Sequence, residues 1–196
     1  MLLVQIEVGD ENAALTEFQS ILERSNVDDP QMAGPDDDRG AQRFLDLREA
    51  VPASVNAIVA AAKARADPGI EKTAGDMVVP FDRLGDSIAL YRREFERRGL
   101  EYAIWGHVSD GNLHPNVVPG SLADVEKGRE AILDIARGVV KMGGAPLAEH
   151  GVGRSSLKQR LLRELYGEAG IDEMRAVKRA LDPGWKLAPG VLFEPA

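Results

Sequence analysis

The segment LEYAIWGHVSDGNLHPNVV, residues 100–118, limits the possible folds of this chain more than any other stretch. Alternating apolar and polar residues flank Asp110-Gly111. An Asp-Gly pair in that setting favours a tight β-hairpin, because a type I′ turn needs positive φ at both central residues. With these two residues as the loop, Ser109 faces Asn112, Val108 faces Leu113 and His107 faces His114. Directly opposed residues share one face of a sheet, with Cβ atoms roughly 4.5–5.5 Å apart. The hairpin therefore predicts two imidazoles able to converge on one divalent ion, at about 2.0–2.1 Å each. Asn112 and Asn116 share the face of His114 by the two-residue period.

Only three histidines occur in the chain, and the third, His150, stands beside Glu149 in LAEHGVGR. Glu149 offers an oxygen ligand from elsewhere in the fold. Two histidines and one carboxylate leave coordination positions open to water or substrate. Adjacent residues on extended backbone point apart, so His150 is not the natural next ligand; a neutral imidazole there can act as a base. Gly151 and Gly153 let the backbone approach a ligand closely. A surface histidine pair with no ion satisfies the same spacing, and on the residues alone both readings stand.

Around this hairpin the chain alternates helices with few strands. Val4, Ile6 and Val8 alternate over residues 2–8 as in a half-buried strand, and Leu15, Phe18, Ile21 and Leu22 mark a helix after it. Residues 26–40, NVDDPQMAGPDDDRG, read as an acidic exposed loop without the ordered spacing of a calcium loop. Residues 41–66 are helical at both ends, with Pro52 expected to kink or split them. AGDMVVP forms a short strand ended by Pro80, and residues 81–98 an amphipathic helix on Leu84, Ile88, Tyr91 and Phe95. A longer helix starts at the cap Ser121 and stops at Gly143-Gly144. Leu157, Leu161, Leu162 and Leu165 mark another, and Asp172 is expected to cap a last one on Met174, Val177 and Leu181. The fold class is α+β: an antiparallel β-sheet with helices packed on one face, followed by a C-terminal helical segment.

The chain has 196 residues, 44% hydrophobic, and a net charge of −8. That charge argues against nucleic acid or an anionic membrane as a general partner, since both want a basic face. No cysteine is present, which removes disulfides, thiolate metal sites and cysteine nucleophiles. No apolar run reaches the ~20 residues of a transmembrane helix, and the N-terminus lacks the basic start of a signal peptide. A cytoplasmic location is expected, or a peripheral one at the inner face of a membrane.

Four motifs taken together, GHVSDGNLHPNV, EHGVG, LREAVPASVN and MRAVKRALDPGWKLAPG, resemble the C-terminal half of the FAD-linked oxidases of the vanillyl-alcohol oxidase type. That family includes cytochrome-linked D-lactate dehydrogenase, the glycolate oxidase flavin subunit and D-2-hydroxyglutarate dehydrogenase. The similarity runs from residue 43 to 192 and extends to residue 1. It implies a substrate or cap domain over residues 1–145 and a helical segment, 146–196, that packs toward a flavin domain. The family's metal motif falls on His107, His114 and Glu149, for a divalent ion such as Zn, Mn or Fe. His150 is implied to take the hydroxyl proton of a D-2-hydroxy acid of the D-lactate or glycolate type while the C2 hydride passes to FAD. Asn112 is implied to position the substrate, Arg48 to grip its carboxylate, and Lys72 to give a second anion contact. Glu149, His150 and Gly151 are implied to lie against the flavin.

Three positions depart from the family pattern: Ser109 and Ala148 replace glycines, and Ala188 replaces an asparagine. The family's FAD-binding N-terminal domain has no counterpart here, so the cofactor is expected from a missing or separate domain or subunit. The chain is thus expected to be a gene fragment or one half of a split enzyme, incomplete for catalysis alone. A stand-alone metal or hydroxy-acid binding module, or an inactive fragment, is the alternative. The metal, the particular hydroxy acid and the electron acceptor stay open.

Overall fold

A computed structural model of the chain describes residues 2–5, 11–25, 27, 30–34 and 36–193. The chain divides into two compact units, Met1–Ser54 and Val55–Ala196. Within the first, helix α1 spans Glu11–Arg24, with Leu15, Phe18 and Leu22 half-buried. The strand expected over residues 2–8 is absent at residues 2–5, and its remainder lies outside the described residues. Helix α2, Asp38–Arg65, begins inside the expected acidic loop. The reason is local: the Asp37 carboxylate accepts the backbone N–H of Gly40 at 2.9 Å, a cap for the orphan donors of the first turn. Pro52 does not split this helix. Proline removes one intrahelical hydrogen bond, and the bonds of the turns on either side carry the helix across it.

The second unit is organised by strand β4, Asn112–Val117, all six residues of which are buried. Strand β3, Tyr102–His107, pairs with one edge of it, antiparallel. The other edge pairs with two short antiparallel strands, β1 (Thr73–Ala74) and β2 (Met77–Val78). AGDMVVP is therefore two strands rather than one, interrupted at Gly75-Asp76. One face of this sheet, through Met77, Leu113, Val117 and Ile104, packs on α3 (Leu84–Glu96) and α4 (Leu122–Lys141). Tyr91 and Phe95 of α3 and Ile132, Ile135 and Val139 of α4 are fully buried there, each contributing roughly 1.5–3 kcal/mol by removal from water. Burial pushes the Tyr91 phenol up to about 12, so it stays neutral. The α+β class with helices on one sheet face holds.

Helix α4 starts and stops where its sequence directs. The Ser121 side chain accepts the N–H of Asp124 at 3.2 Å. At the other end Gly143 adopts φ 81, and the Gly144 N–H returns to the Val139 carbonyl at 3.0 Å. Helix α5, Ser156–Leu181, breaks at Gly167 (φ 68, ψ 176), and Asp172 lies inside its second half instead of capping it. Glycine reaches that backbone region at no steric cost, so it supplies the break before the aspartate is reached. Val152, Leu162, Ile171 and Phe193 form a smaller core around α5. Among the described residues no helix is long and apolar enough to cross a membrane.

Charged side chains tie α3 to α4. Arg98 bonds Glu94 at 2.7 Å and Asp134 at 2.5 Å, and Arg97 reaches both acids. Burial raises the Glu94 and Asp134 carboxyls, but the guanidinium groups outweigh it and hold both below the usual carboxylate range. Their stabilisation is therefore complete above the unfolded carboxylate range and is lost as the pH falls through the lower folded values. Replacing Arg98 by alanine leaves Glu94 buried with fewer partners and is expected to cost about 1–3 kcal/mol at neutral pH. Urea unfolding of Arg98→Ala and wild type across the acid range checks this: the difference between them should shrink as the acids become protonated.

Candidate functional site

The hairpin forms, but its loop is longer than the type I′ turn expected. Val108–Asp110 make a 3-10 turn and Gly111 the left-handed residue that closes it, φ 77. His107 consequently faces Asn112, and Trp105 faces His114. The two histidines are diagonal neighbours rather than direct partners. Asp110 accounts for the change: its carboxylate accepts the N–H of Asn112 at 3.1 Å and contacts His107 Nδ1 at 3.2 Å, which stabilises the wider turn. The register differs by two residues, which preserves the side-chain faces; a shift of one would have inverted them. His107 and His114 thus remain on one face, ring centroids 5.9 Å apart and edge-on.

A second element brings in Glu149 and His150. The segment after α4 docks on β2, where Val78 and Ala145 exchange both backbone hydrogen bonds at 2.9 Å. Asp76, in the gap between β1 and β2, bridges to Leu147. Its carboxylate Oδ2 accepts the N–H of Glu149 at 2.9 Å and of His150 at 2.6 Å. Three imidazoles then face one carboxylate oxygen. Glu149 Oε1 lies 3.2 Å from His114 Nε2, 3.1 Å from His150 Nε2 and 3.8 Å from His107 Nε2. Asp76, His114, Glu149 and His150 place one potential ligand atom each within 4.8 Å of one another. Asp76 and His114 form a buried wall, while Glu149 and His150 form an exposed lip.

Burial, with the nearby His150 charge, holds the His114 imidazole below its ordinary range, against the pull of Asp76 and Glu149. Burial raises the Asp76 carboxyl, but the two backbone N–H groups and the histidines outweigh it and lower it. A neutral imidazole beside an ionised carboxylate suits a divalent ion. Two atoms of this wall, His114 Nδ1 and Asp76 Oδ1, are buried without a hydrogen-bond partner. The Nε2 atoms of His114 and His150, 3.2 and 3.1 Å from Glu149 Oε1, fit a divalent ion.

The other expected residues are placed differently. Asn112 is buried beside the histidines, with its Oδ1 unpartnered. Lys72 bonds Asn56 at 3.0 Å and lies 5.4 Å over the Trp105 ring; burial lowers its pKa. A side chain at Gly151 would meet open space, so its positive φ of 67 is what favours glycine there. Arg48 belongs to the other compact unit, where it is exposed and paired with Glu49 at 2.6 Å. Asp76 was not among the expected residues. Its one sequence signal is an acid inside a short apolar strand, AGDMVVP, where a buried carboxylate needs partners.

With this geometry in place, comparison with known proteins gives the family. The model of FAD linked oxidases, C-terminal domain, matches residues 1–192, and the chain belongs to that family. It is 33% identical over 129 residues to a probable mitochondrial D-lactate dehydrogenase of Danio rerio, covering 65% of this chain and 26% of that protein. It is 28% identical over 183 residues to the mitochondrial D-lactate dehydrogenase [cytochrome] 1 of Saccharomyces cerevisiae, covering 93% and 30%. It is 30% identical over 120 residues to glycolate oxidase subunit GlcD of Bacillus subtilis, covering 60% and 25%. The chain thus spans about a quarter to a third of the length of these relatives.

The lowered His114 pKa has a measurable consequence. The unfolded chain takes up this proton first, near the ordinary imidazole value of about 6.5, so the stability from neutral His114 is full above that pH. It is lost as the pH falls toward the lower folded value. Imidazole NMR should find the His114 midpoint below that of a free histidine, and His114→Phe should flatten the fall in urea midpoint across that window.

Proposed function

We propose that this chain is the substrate- and metal-binding part of an FAD-dependent dehydrogenase that oxidises a D-2-hydroxy acid, of the D-lactate or glycolate type, to the 2-oxo acid. The observation that carries this reading is the convergence of the three imidazole Nε2 atoms on Glu149 Oε1. The relatives described above, two D-lactate dehydrogenases and a glycolate oxidase subunit, support the substrate class.

His107, His114 and Glu149 would hold the divalent ion. His150, 54% exposed on its side chain, is reachable by a ligand and takes the hydroxyl proton as base. When bound, the metal supplies polarisation of the substrate's hydroxyl and carboxylate oxygens, and the flavin supplies a two-electron acceptor for the C2 hydrogen. Asn112 positions the substrate, Lys72 receives its carboxylate, and the backbone at Gly151 lies toward the flavin. Residues 1–145 act as the substrate-binding part and residues 146–196 as the helical segment that meets an FAD-binding domain or subunit.

Elemental analysis of the purified chain, beside His107→Ala, tests the metal part. About one divalent ion per wild-type chain is expected, with affinity at least about tenfold weaker in the variant. Calorimetry of the metal-loaded chain with D-lactate and glycolate tests the substrate part, with L-lactate as the control. Binding of metal and hydroxy acid, followed by dye reduction once an FAD-binding domain is supplied, supports the dehydrogenase. Binding with no turnover in that mixture favours the stand-alone module instead. A chain that takes neither metal nor hydroxy acid defeats the reading.

A further inference from the structure

Asp76 is 2% exposed, and a carboxylate that deep is costly unless its oxygens are engaged. Oδ2 is engaged by the N–H groups of Glu149 and His150. Oδ1 has no hydrogen-bond partner and faces His114 Nδ1, equally buried and unpartnered, at 3.7 Å. His150 Nδ1 stands 3.6 Å from Oδ2. The same two rings direct their Nε2 atoms to Glu149 Oε1, at 3.2 and 3.1 Å. Both imidazoles therefore lie between two carboxylates, δ nitrogens toward the buried one and ε nitrogens toward the exposed one.

A neutral imidazole carries one proton, and two carboxylates compete for it: buried Asp76 at Nδ1, and Glu149 at Nε2, which is 38% exposed and screened by water. A nitrogen lone pair aimed at a buried carboxylate oxygen is repelled, whereas an N–H is attracted, and low polarity strengthens both effects. We propose that Asp76 is a positioning residue: it keeps the His114 proton on Nδ1, turning the Nε2 lone pair toward the metal position, while its second oxygen anchors the backbone of Glu149 and His150. This rests on the metal site proposed above. The 3.7 Å separation exceeds the 2.7–3.2 Å or so of a formed hydrogen bond. Contacts of this kind tighten when the site is loaded. One carboxylate would thus serve two purposes, setting the tautomer of one ligand and the backbone of the next.

The test uses the full chain, with Zn²⁺ alone as the probe. Imidazole ¹⁵N NMR of the metal-free protein, where the ring is neutral, should find His114 as the Nδ1–H tautomer. Asp76→Asn should shift that population and weaken Zn²⁺ binding roughly 10- to 100-fold, with one ion still bound at saturation. A wild-type His114 protonated on Nε2 overturns the proposal without recourse to any variant, so a variant that fails to fold does not protect it. Unchanged affinity and tautomer in Asp76→Asn also overturn it. Loss of all Zn²⁺ with the tautomer unchanged makes Asp76 a direct ligand and overturns it too. A wild-type chain that binds no Zn²⁺ defeats the metal site, and the tautomer measurement still decides the role of Asp76.

Discussion

Everything around the site depends on β4 being paired on both edges and buried on both faces. A strand so placed can bury polar side chains only if its surroundings satisfy them. Leu113 and Val117 meet the helices, and Asn112, His114 and Asn116 occupy the other face. Asn116 is satisfied within the strand, donating to the His114 carbonyl at 2.6 Å. Asn112 and His114 are not fully satisfied, and each retains a buried atom with no protein partner. The helical face thus stabilises the fold, while the opposite face carries the polar groups of the candidate site.

The legible parts were those governed by short-range rules. The hairpin around Asp110-Gly111, though not its turn type, the alternation on either side of it, and the cap and stop of α4 are local signals, and all three appear. The hairpin register departs from the expected one because the Asp110 side chain favours a wider turn, a choice that residue type alone does not reveal. Sharing of one face by His107 and His114 survived, since it depends only on the parity of the register. The interruption of AGDMVVP, and with it Asp76, was hidden because its cause is non-local: the Gly75 N–H bonds the Pro115 carbonyl at 2.8 Å, while Asp76 turns toward residues 149 and 150. Gly167 displaced Asp172 as the break in α5 because backbone freedom outranks a capping side chain. Arg48 and Lys72 came from resemblance, and periodicity had nothing to say about either.

The cluster is asymmetric, and the asymmetry suits its proposed work. Asp76 and His114 are fixed by burial, while His107, Glu149 and His150 are each more than a third exposed at the side chain. A rigid wall holds geometry and an open lip admits ligand. The lip has little packing of its own and takes its position from backbone hydrogen bonds: to Asp76 on one side, and through Gly153 to Leu192 on the other.

That second attachment belongs to a tail under conformational tension. Trp185, Ala188 and Leu192 all hold positive φ without being glycine, at roughly 1–2 kcal/mol each. They are held there by ties to the rest of the unit. Asp182 accepts the N–H groups of Lys186 and Leu187, Arg154 bonds the Pro189 carbonyl, and Gln159 bonds the Gly190 carbonyl. The tail therefore behaves as a loaded clasp whose shape is borrowed from its neighbours. Trimming the chain at residue 186 would remove the strained residues Ala188 and Leu192 and unfasten the Gly153 end of the Glu149-His150 loop, so residues 187–193 set how short a version of this unit can be made with that loop still fastened.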